Sequence, residues 1–284
     1  MKHALLTALA LTVLATASPS QAQTARDLFS SKSTPSSHGA HPVGRHAKGC
    51  LAGAVQLPET GPTWQAMRLS RNHNWGHPEA VRFAQQLSVA ATKVGWKGLY
   101  IGDISQPRGG PVFGHASHQI GLDIDVWLLP PERLNLTRAE RENISSLNVR
   151  SADRKSVNSN WTRAHHRLLE ATARDSRVNR IFITAPVKLQ MCADAPKNDR
   201  AWLRKIRPWW GHNTHFHVRM NCPKGAVGCE NPAPLPAGDG CEEAIWWVTD
   251  ALQPPDPNAP APKKKAPLVL ADLPGQCGDV LNDG

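Results

Sequence analysis

Two short segments of this chain alternate apolar and polar side chains with the period of a β-strand. Over residues 122–129, Leu122, Ile124, Val126 and Leu128 fall on one face, and Asp123 and Asp125 fall on the other. Over residues 214–220, Thr214, Phe216, Val218 and Met220 share one face, while His215, His217 and Arg219 share the opposite one. Each segment reads as a half-buried strand whose polar face lines a common cleft. A helix is predicted from Pro78, whose missing N–H costs nothing in a first turn. Its apolar stripe of Val81, Phe83, Ala84, Leu87, Ala91 and Val94 stops at Gly95. Residues 99–104 read as a strand, and residues 106–111 as a loop leading to Gly114. Further helices are expected over 136–147, with Thr137 and Glu140 as a capping box, over 160–173 and over 199–206. A short strand is expected over 180–184.

The ends of the chain read differently. Met1-Lys-His, the apolar run from Ala4 to Ala17 and Ser20-Gln-Ala22 form the three parts of an export signal over residues 1–22. That run is shorter than the ~18–20 residues a membrane span requires, and no later stretch is apolar enough, so no integral membrane segment is expected. Residues 23–49, rich in Ser, Thr, His and Gly, read as a loose N-terminal arm. The catalytic domain is expected over 50–253. The tail, 254–284, is Pro- and Lys-rich and is expected to be pinned back through Cys277.

The formal net charge of +10 falls to +9 when Lys2 leaves with the signal. An exported basic chain is a poor candidate for nucleic acid, whereas bacterial cell wall offers carboxylates in the same compartment. The six cysteines contain no Cys-x-x-Cys pair, which argues against zinc knuckles and redox motifs. In an exported chain they point to disulfides. Cys222 and Cys229 bracket a Pro/Gly loop and are expected to pair. The partners of Cys50, Cys192, Cys241 and Cys277 stay open.

The polar strand faces carry the chemistry. His118, Asp125 and His217 would give a metal three protein ligands and leave a fourth position for water, the arrangement of a catalytic zinc. Asp123, on the strand face of Asp125, is a candidate either to orient a ligand histidine through its other ring nitrogen or to hydrogen-bond a neighbouring loop. The remaining histidines read as incidental: His38, His41 and His46 in the arm, His165 and His166 on a helix surface. Trp209 and Trp210 stand at a cleft edge or in the core, and Trp246 and Trp247 are assigned to packing. Ten tryptophans against one tyrosine is an unexplained bias.

The spacing His118-x6-Asp125 with His215-x-His217 resembles the zinc peptidases grouped as lysostaphin, D-Ala-D-Ala metallopeptidases and hedgehog. Residues 114–125, residues 199–209 and Gly238-Asp-Gly-Cys241 resemble one branch, the penicillin-insensitive murein endopeptidases, over roughly residues 50–277. The resemblance implies a single α+β domain on a central antiparallel sheet, flanked by helices and stapled by disulfides. It implies a periplasmic Zn2+ endopeptidase that cuts the D-alanyl–meso-diaminopimelate cross-link of peptidoglycan. His118, Asp125 and His217 would hold zinc, His215 would be the catalytic histidine, and His212 would bind a substrate carboxylate or assist the transition state. His115 and Asp153 are candidates for an auxiliary metal position. Ser156 stands where that pattern expects a histidine, so the auxiliary site is weakened or absent, and Asp153 reads as a loop cap rather than a ligand.

Two rivals share these residues. A D,D-carboxypeptidase or dipeptidase would need a closed pocket for a terminal carboxylate, where a cross-link cutter needs an open groove. A non-catalytic wall-binding module would have no use for His215 beside His217. A serine acyltransferase is disfavoured, because no Ser-x-x-Lys or Lys-Thr-Gly occurs in the chain.

Overall fold

A computed structural model describes residues 23–260 and 265–283; the export signal read at 1–22 lies outside them. In chain order the strands are β1 (His41–Arg45), β2 (Lys48–Ala52), β3 (Val55–Gln56), β4 (Trp64–Ala66) and β5 (Trp75–Gly76). They continue with β6 (Leu99–Ile101), β7 (Asp123–Trp127), β8 (Val178–Ile183), β9 (Ile206–Pro208) and β10 (His215–Met220). Six of them form the central sheet, in the order β4-β6-β7-β10-β8-β9. Its middle is antiparallel, as expected, and a parallel pair closes each edge: β4 on β6 and β9 on β8. The sheet is therefore mixed.

Helices α1 (Ala25–Ser30), α2 (Pro78–Lys93), α3 (Arg138–Asn143), α4 (Arg163–Arg174), α5 (Ala185–Asp194), α6 (Cys241–Trp246) and α7 (Gln276–Asn282) surround it. Helix α2 starts as predicted, with Pro78 in the first turn and the His77 side chain accepting the Glu79 N–H. Its stripe of Val81, Phe83, Ala84, Leu87 and Ala91 joins one core with Ile124, Val126, Phe216 and Val218, the apolar faces of β7 and β10. Burying those faces leaves the acids and histidines of the same strands on the other side of the sheet.

Three expected helices come out shorter. The capping box of Thr137 and Glu140 forms, but α3 ends at Asn143 because the next residues run extended along the cleft. There Ser146 Oγ donates to the Thr214 carbonyl at 2.6 Å and Val149 N donates to the Asn213 carbonyl at 3.0 Å. Helix α4 begins at Arg163, after a cap at Thr162. Residues 201–205 are a single 3-10 turn that feeds directly into β9.

The arm over 23–49 is folded rather than loose. Phe29 of α1, Val43 of β1 and Cys50 and Ala52 of β2 pack with Leu273, Cys277, Val280 and Leu281 of the tail in a second small core. Neither end is apolar enough alone; each supplies the other's missing face. His46, expected in a loose arm, is buried at the β1–β2 turn with Nε2 3.0 Å from the Met220 carbonyl. His165 is likewise no surface residue: Nδ1 meets Thr162 Oγ1 and Nε2 meets the Leu128 carbonyl, each at 2.8 Å. His166 is buried too.

The bridges are Cys222–Cys229, Cys192–Cys241 and Cys50–Cys277. The last joins residues 227 apart and holds the terminal core shut. A Cys50→Ser/Cys277→Ser variant is expected to lose about 2–4 kcal/mol of stability, read as a lower midpoint in denaturant titration. An unchanged midpoint would mean that the small core closes without its bridge.

Candidate metal centre

The pairing of β7 with β10 builds the centre. The register sets His217 opposite Asp125, Arg219 opposite Asp123, and His215 opposite Trp127. Cross-strand partners lie ~4.5–5.5 Å apart, so the two polar faces merge into one cluster. A slip of one residue would turn all of them into the helix-covered core.

His118 enters from the loop before β7 in a left-handed backbone conformation, φ 68°. Gly121, φ 65°, makes the turn into the strand, and a Cβ there would meet Leu51 Cδ2 at 2.3 Å. Three bonds hold the His118 conformation. Ser105 Oγ donates to its carbonyl at 2.5 Å, its own N–H donates to Asp123 Oδ2 at 2.9 Å, and its Nδ1 bonds the Ile104 carbonyl at 2.8 Å. The Nδ1 bond leaves the other ring nitrogen as a free lone pair. That atom, Nε2, faces Asp125 Oδ1 at 3.4 Å, and His217 Nδ1 reaches the same oxygen at 3.1 Å.

His118 Nε2 and Asp125 Oδ1 are both buried and lack any hydrogen-bond partner. Unpartnered buried polar atoms are rare because each costs its desolvation, so two aimed at one another mark a place for a further group. A four-coordinate zinc with bonds near 2.0–2.2 Å needs its ligand atoms about 3.3 Å apart, and the two contacts on Asp125 Oδ1, at 3.4 and 3.1 Å, have that spacing. Two imidazole nitrogens and one carboxylate also match the donors zinc takes at catalytic centres. The residues therefore fit that ion. Burial opposes ionisation of Asp125, but His118, His215 and His217 outweigh it and hold the carboxyl well below its usual range.

A second grouping overlaps the first: ligand atoms of His115, His118 and Asp125 lie within 4.8 Å of one another. His115 is already engaged, however. Its Nε2 lies 2.8 Å from Asp103 Oδ2, and its Nδ1 is 3.8 Å from Asp125 Oδ2. His118 and Asp125 belong to both groupings, and His217 joins them through Asp125 Oδ1.

Asp123 is fully buried and collects several partners. Arg219 Nε donates to Oδ1 at 2.8 Å and Arg219 Nη2 to Oδ2 at 3.2 Å. His217 Nε2 lies 2.9 Å from Oδ1. Asp123 thus touches both the backbone of His118 and the ring of His217. Asp123→Asn is expected to weaken zinc binding by about 10–100-fold, measured by competition with a chromophoric chelator. Unaltered affinity would reduce Asp123 to a partner of Arg219.

His215 Nε2 lies 3.7 Å from Asp125 Oδ1, and burial holds its pKa below the ordinary histidine value. His212 stands beside it with ring centroids 4.9 Å apart, its Nδ1 2.7 Å from the Trp210 carbonyl. Burial, reinforced by His215 and His217, also lowers His212. Asp153 is not brought to His115. It is exposed and caps its own turn, accepting Ser151 Oγ at 2.5 Å and Lys155 N at 3.0 Å.

Sequence reading misses Asp103. This buried acid lies just past β6 and gathers Arg71 Nη1 at 2.8 Å, His115 Nε2 at 2.8 Å and His73 Nδ1 at 3.5 Å. Burial opposes its charge, yet His115, His73 and Arg71 keep it ionised. The chain offers one signal, an acid just beyond a fully apolar strand end.

Two cavities meet at the centre, sharing His115 and His215. One runs past Arg68, Arg71, Trp127 and Thr214; the other runs past Phe182, Trp209, Trp210 and His212.

Residues 42–282 match the family described as penicillin-insensitive murein endopeptidase. Curated proteins of that name are similar over most of their length. The Haemophilus influenzae protein is 40% identical, across 86% of this chain and 83% of its own. The Klebsiella pneumoniae protein is 40% identical, across 86% and 87%. The Salmonella newport protein is 39% identical, across 86% and 87%. With the matched residues spanning both strands of the centre, the chain belongs to the penicillin-insensitive murein endopeptidase family.

Proposed function

We propose that this chain is an exported, zinc-dependent endopeptidase that hydrolyses the D-alanyl–meso-diaminopimelate cross-link between peptidoglycan stem peptides in the periplasm. The observation that carries the reading is the convergence of His118 Nε2, His217 Nδ1 and Asp125 Oδ1, with His118 Nε2 and Asp125 Oδ1 buried without partners. Two features of the chain are in keeping with it. The relatives' name specifies murein, and no helix among the described residues is long and apolar enough to cross a membrane.

His118, Asp125 and His217 would hold the zinc. When bound there, zinc lowers the pKa of a water towards ~7 and polarises the scissile carbonyl. His215 takes a proton from the attacking water and passes it to the leaving amine. The water oxygen ends in the new D-alanyl carboxylate, and the broken C–N bond leaves a free amine on the acceptor stem. His212, anchored through Nδ1 to the Trp210 carbonyl, presents Nε2 to the substrate. Asp103 fixes the His115 ring against the cleft wall.

The meeting of two cavities at His115 and His215 favours an endopeptidase, since chain can leave the centre in both directions. A carboxypeptidase needs one side closed. Purified cross-linked dimers and uncross-linked pentapeptide muropeptides, digested in parallel and separated by chromatography, decide between them. Conversion of dimers to intact monomers is expected. Trimming of the pentapeptide with the dimers left whole would instead assign a carboxypeptidase.

A further inference from the structure

Four of the ten tryptophans gather on one side of the centre. Trp247 sits amid the other three, with ring centroids 4.9 Å from Trp210, 5.5 Å from Trp246 and 6.1 Å from Trp209. Trp209, Trp210 and Trp246 are 52%, 45% and 52% exposed. That departs from the packing role expected for Trp246. Elsewhere, Trp64, Trp96, Trp127 and Trp202 are buried.

The patch is continuous with the cleft. Trp209 lies 5.6 Å from Phe182, and Phe182 lies 5.4 Å from His217, both centroid to centroid. An aromatic strip therefore runs from a proposed zinc ligand to the outer surface in steps of one ring each. Its outer end is firmly mounted. Helix α6 is tied to α5 by Cys192–Cys241, and Glu243 pairs with Arg207. Lys188 Nζ donates to the Asp239 carbonyl just before the helix.

Half-exposed indoles on a rigid mount are poor core and good ligand surface. Each offers a flat apolar face with an N–H at its edge, which suits a ring having a C–H face and a polar rim. A pyranose has that form. A docking site for another protein would be expected to carry more aliphatic surface, but Ile245 is the sole exposed aliphatic of α6. In murein the stem peptides hang from glycan strands, and an extended stem of three or four residues reaches about 10–14 Å. Steps of 5.4 and 5.6 Å along the strip bring Trp209 into that range, and the other indoles continue outward from it.

We propose that Trp209, Trp210, Trp246 and Trp247 form a platform that binds the pyranose faces of the glycan strand bearing the stem peptide under attack. This rests on the murein reading above, and it adds a sugar subsite to the peptide cleft.

The test compares rates on a cross-linked dimer that retains its sugars with rates on the same dimer stripped of sugar by an amidase. In Trp246→Ala and Trp210→Ala, the ratio of sugar-bearing to sugar-free rate is expected to fall about tenfold from the intact protein's value. In parallel, zinc-free protein is sedimented with peptide-free glycan strands; the intact protein is expected to pellet and Trp246→Ala to stay in solution. An unchanged ratio, an equal fall on both substrates, or no dependence of glycan binding on Trp246 would overturn the platform. Should the intact protein cleave neither dimer, the proposed activity fails, and the sedimentation result still decides the sugar site.

Discussion

His217→Ala is expected to lose stoichiometric zinc and peptidase activity together, with kcat/KM down about a thousandfold or more. Zinc contributes several kcal/mol of transition-state stabilisation, and each ~1.4 kcal/mol is a factor of ten. The histidine sits opposite Asp125 and is buried, touching both carboxylates, so its loss also leaves Asp123 and Asp125 with less compensation. Circular dichroism must therefore show that the variant folds. The contrast with His115→Ala makes the result decisive. If zinc is held by His118, Asp125 and His217, then His115→Ala keeps its metal. If it is held by the overlapping group of His115, His118 and Asp125, the two variants exchange behaviour. Zinc retained at one equivalent in His217→Ala would contradict the proposed ligand set.

His215→Ala separates chemistry from metal binding. The side chain is 3.7 Å from Asp125 Oδ1 but outside the close set of ligand atoms, so zinc content is expected to stay at one per chain. Activity is expected to fall about 10²–10⁴-fold, the usual contribution of a positioned general acid–base group. The fall should appear in kcat, because proton transfer matters in the transition state and little in binding. A rise in KM with kcat preserved would recast His215 as a substrate-binding residue, and loss of zinc would make it a ligand.

Much of this centre is legible in the amino-acid sequence, for a definite reason. In β7 and β10 the apolar residues alternate strictly, which leaves one register that buries Ile124, Val126, Phe216 and Val218 together. That register sets Asp125 beside His217. Helix α2 is readable from local signals, a proline in its first turn and a glycine after its last. Cys222 and Cys229, seven residues apart, are also within local reach.

What the sequence conceals depends on contacts between distant segments. His46 is buried because the hairpin turn lies against the end of β10, 174 residues away. The arm reads as loose because its apolar partners, Leu273, Val280 and Leu281, belong to the opposite end of the chain. Asp103 draws no notice because its three neighbours, Arg71, His73 and His115, come from two other segments. Periodicity overextends the 136–147 helix, since it cannot register that Ser146 and Val149 are claimed by residues 213–214. The tryptophan bias, unexplained by composition, resolves in part into a patch beside the cleft.

A zinc held by His118, Asp125 and His217 that drives cleavage of peptidoglycan cross-links makes a sharp demand on the purified protein. The decisive experiment digests cross-linked muropeptide dimers with protein as purified, with chelator-treated protein, and with treated protein given one equivalent of zinc, the products being weighed by mass spectrometry. Monomers released at the D-alanyl–meso-diaminopimelate bond are expected, with no cleavage after chelation and recovery with zinc. Cleavage that survives complete metal removal, or dimers left intact by protein carrying one bound zinc, would refute the zinc endopeptidase.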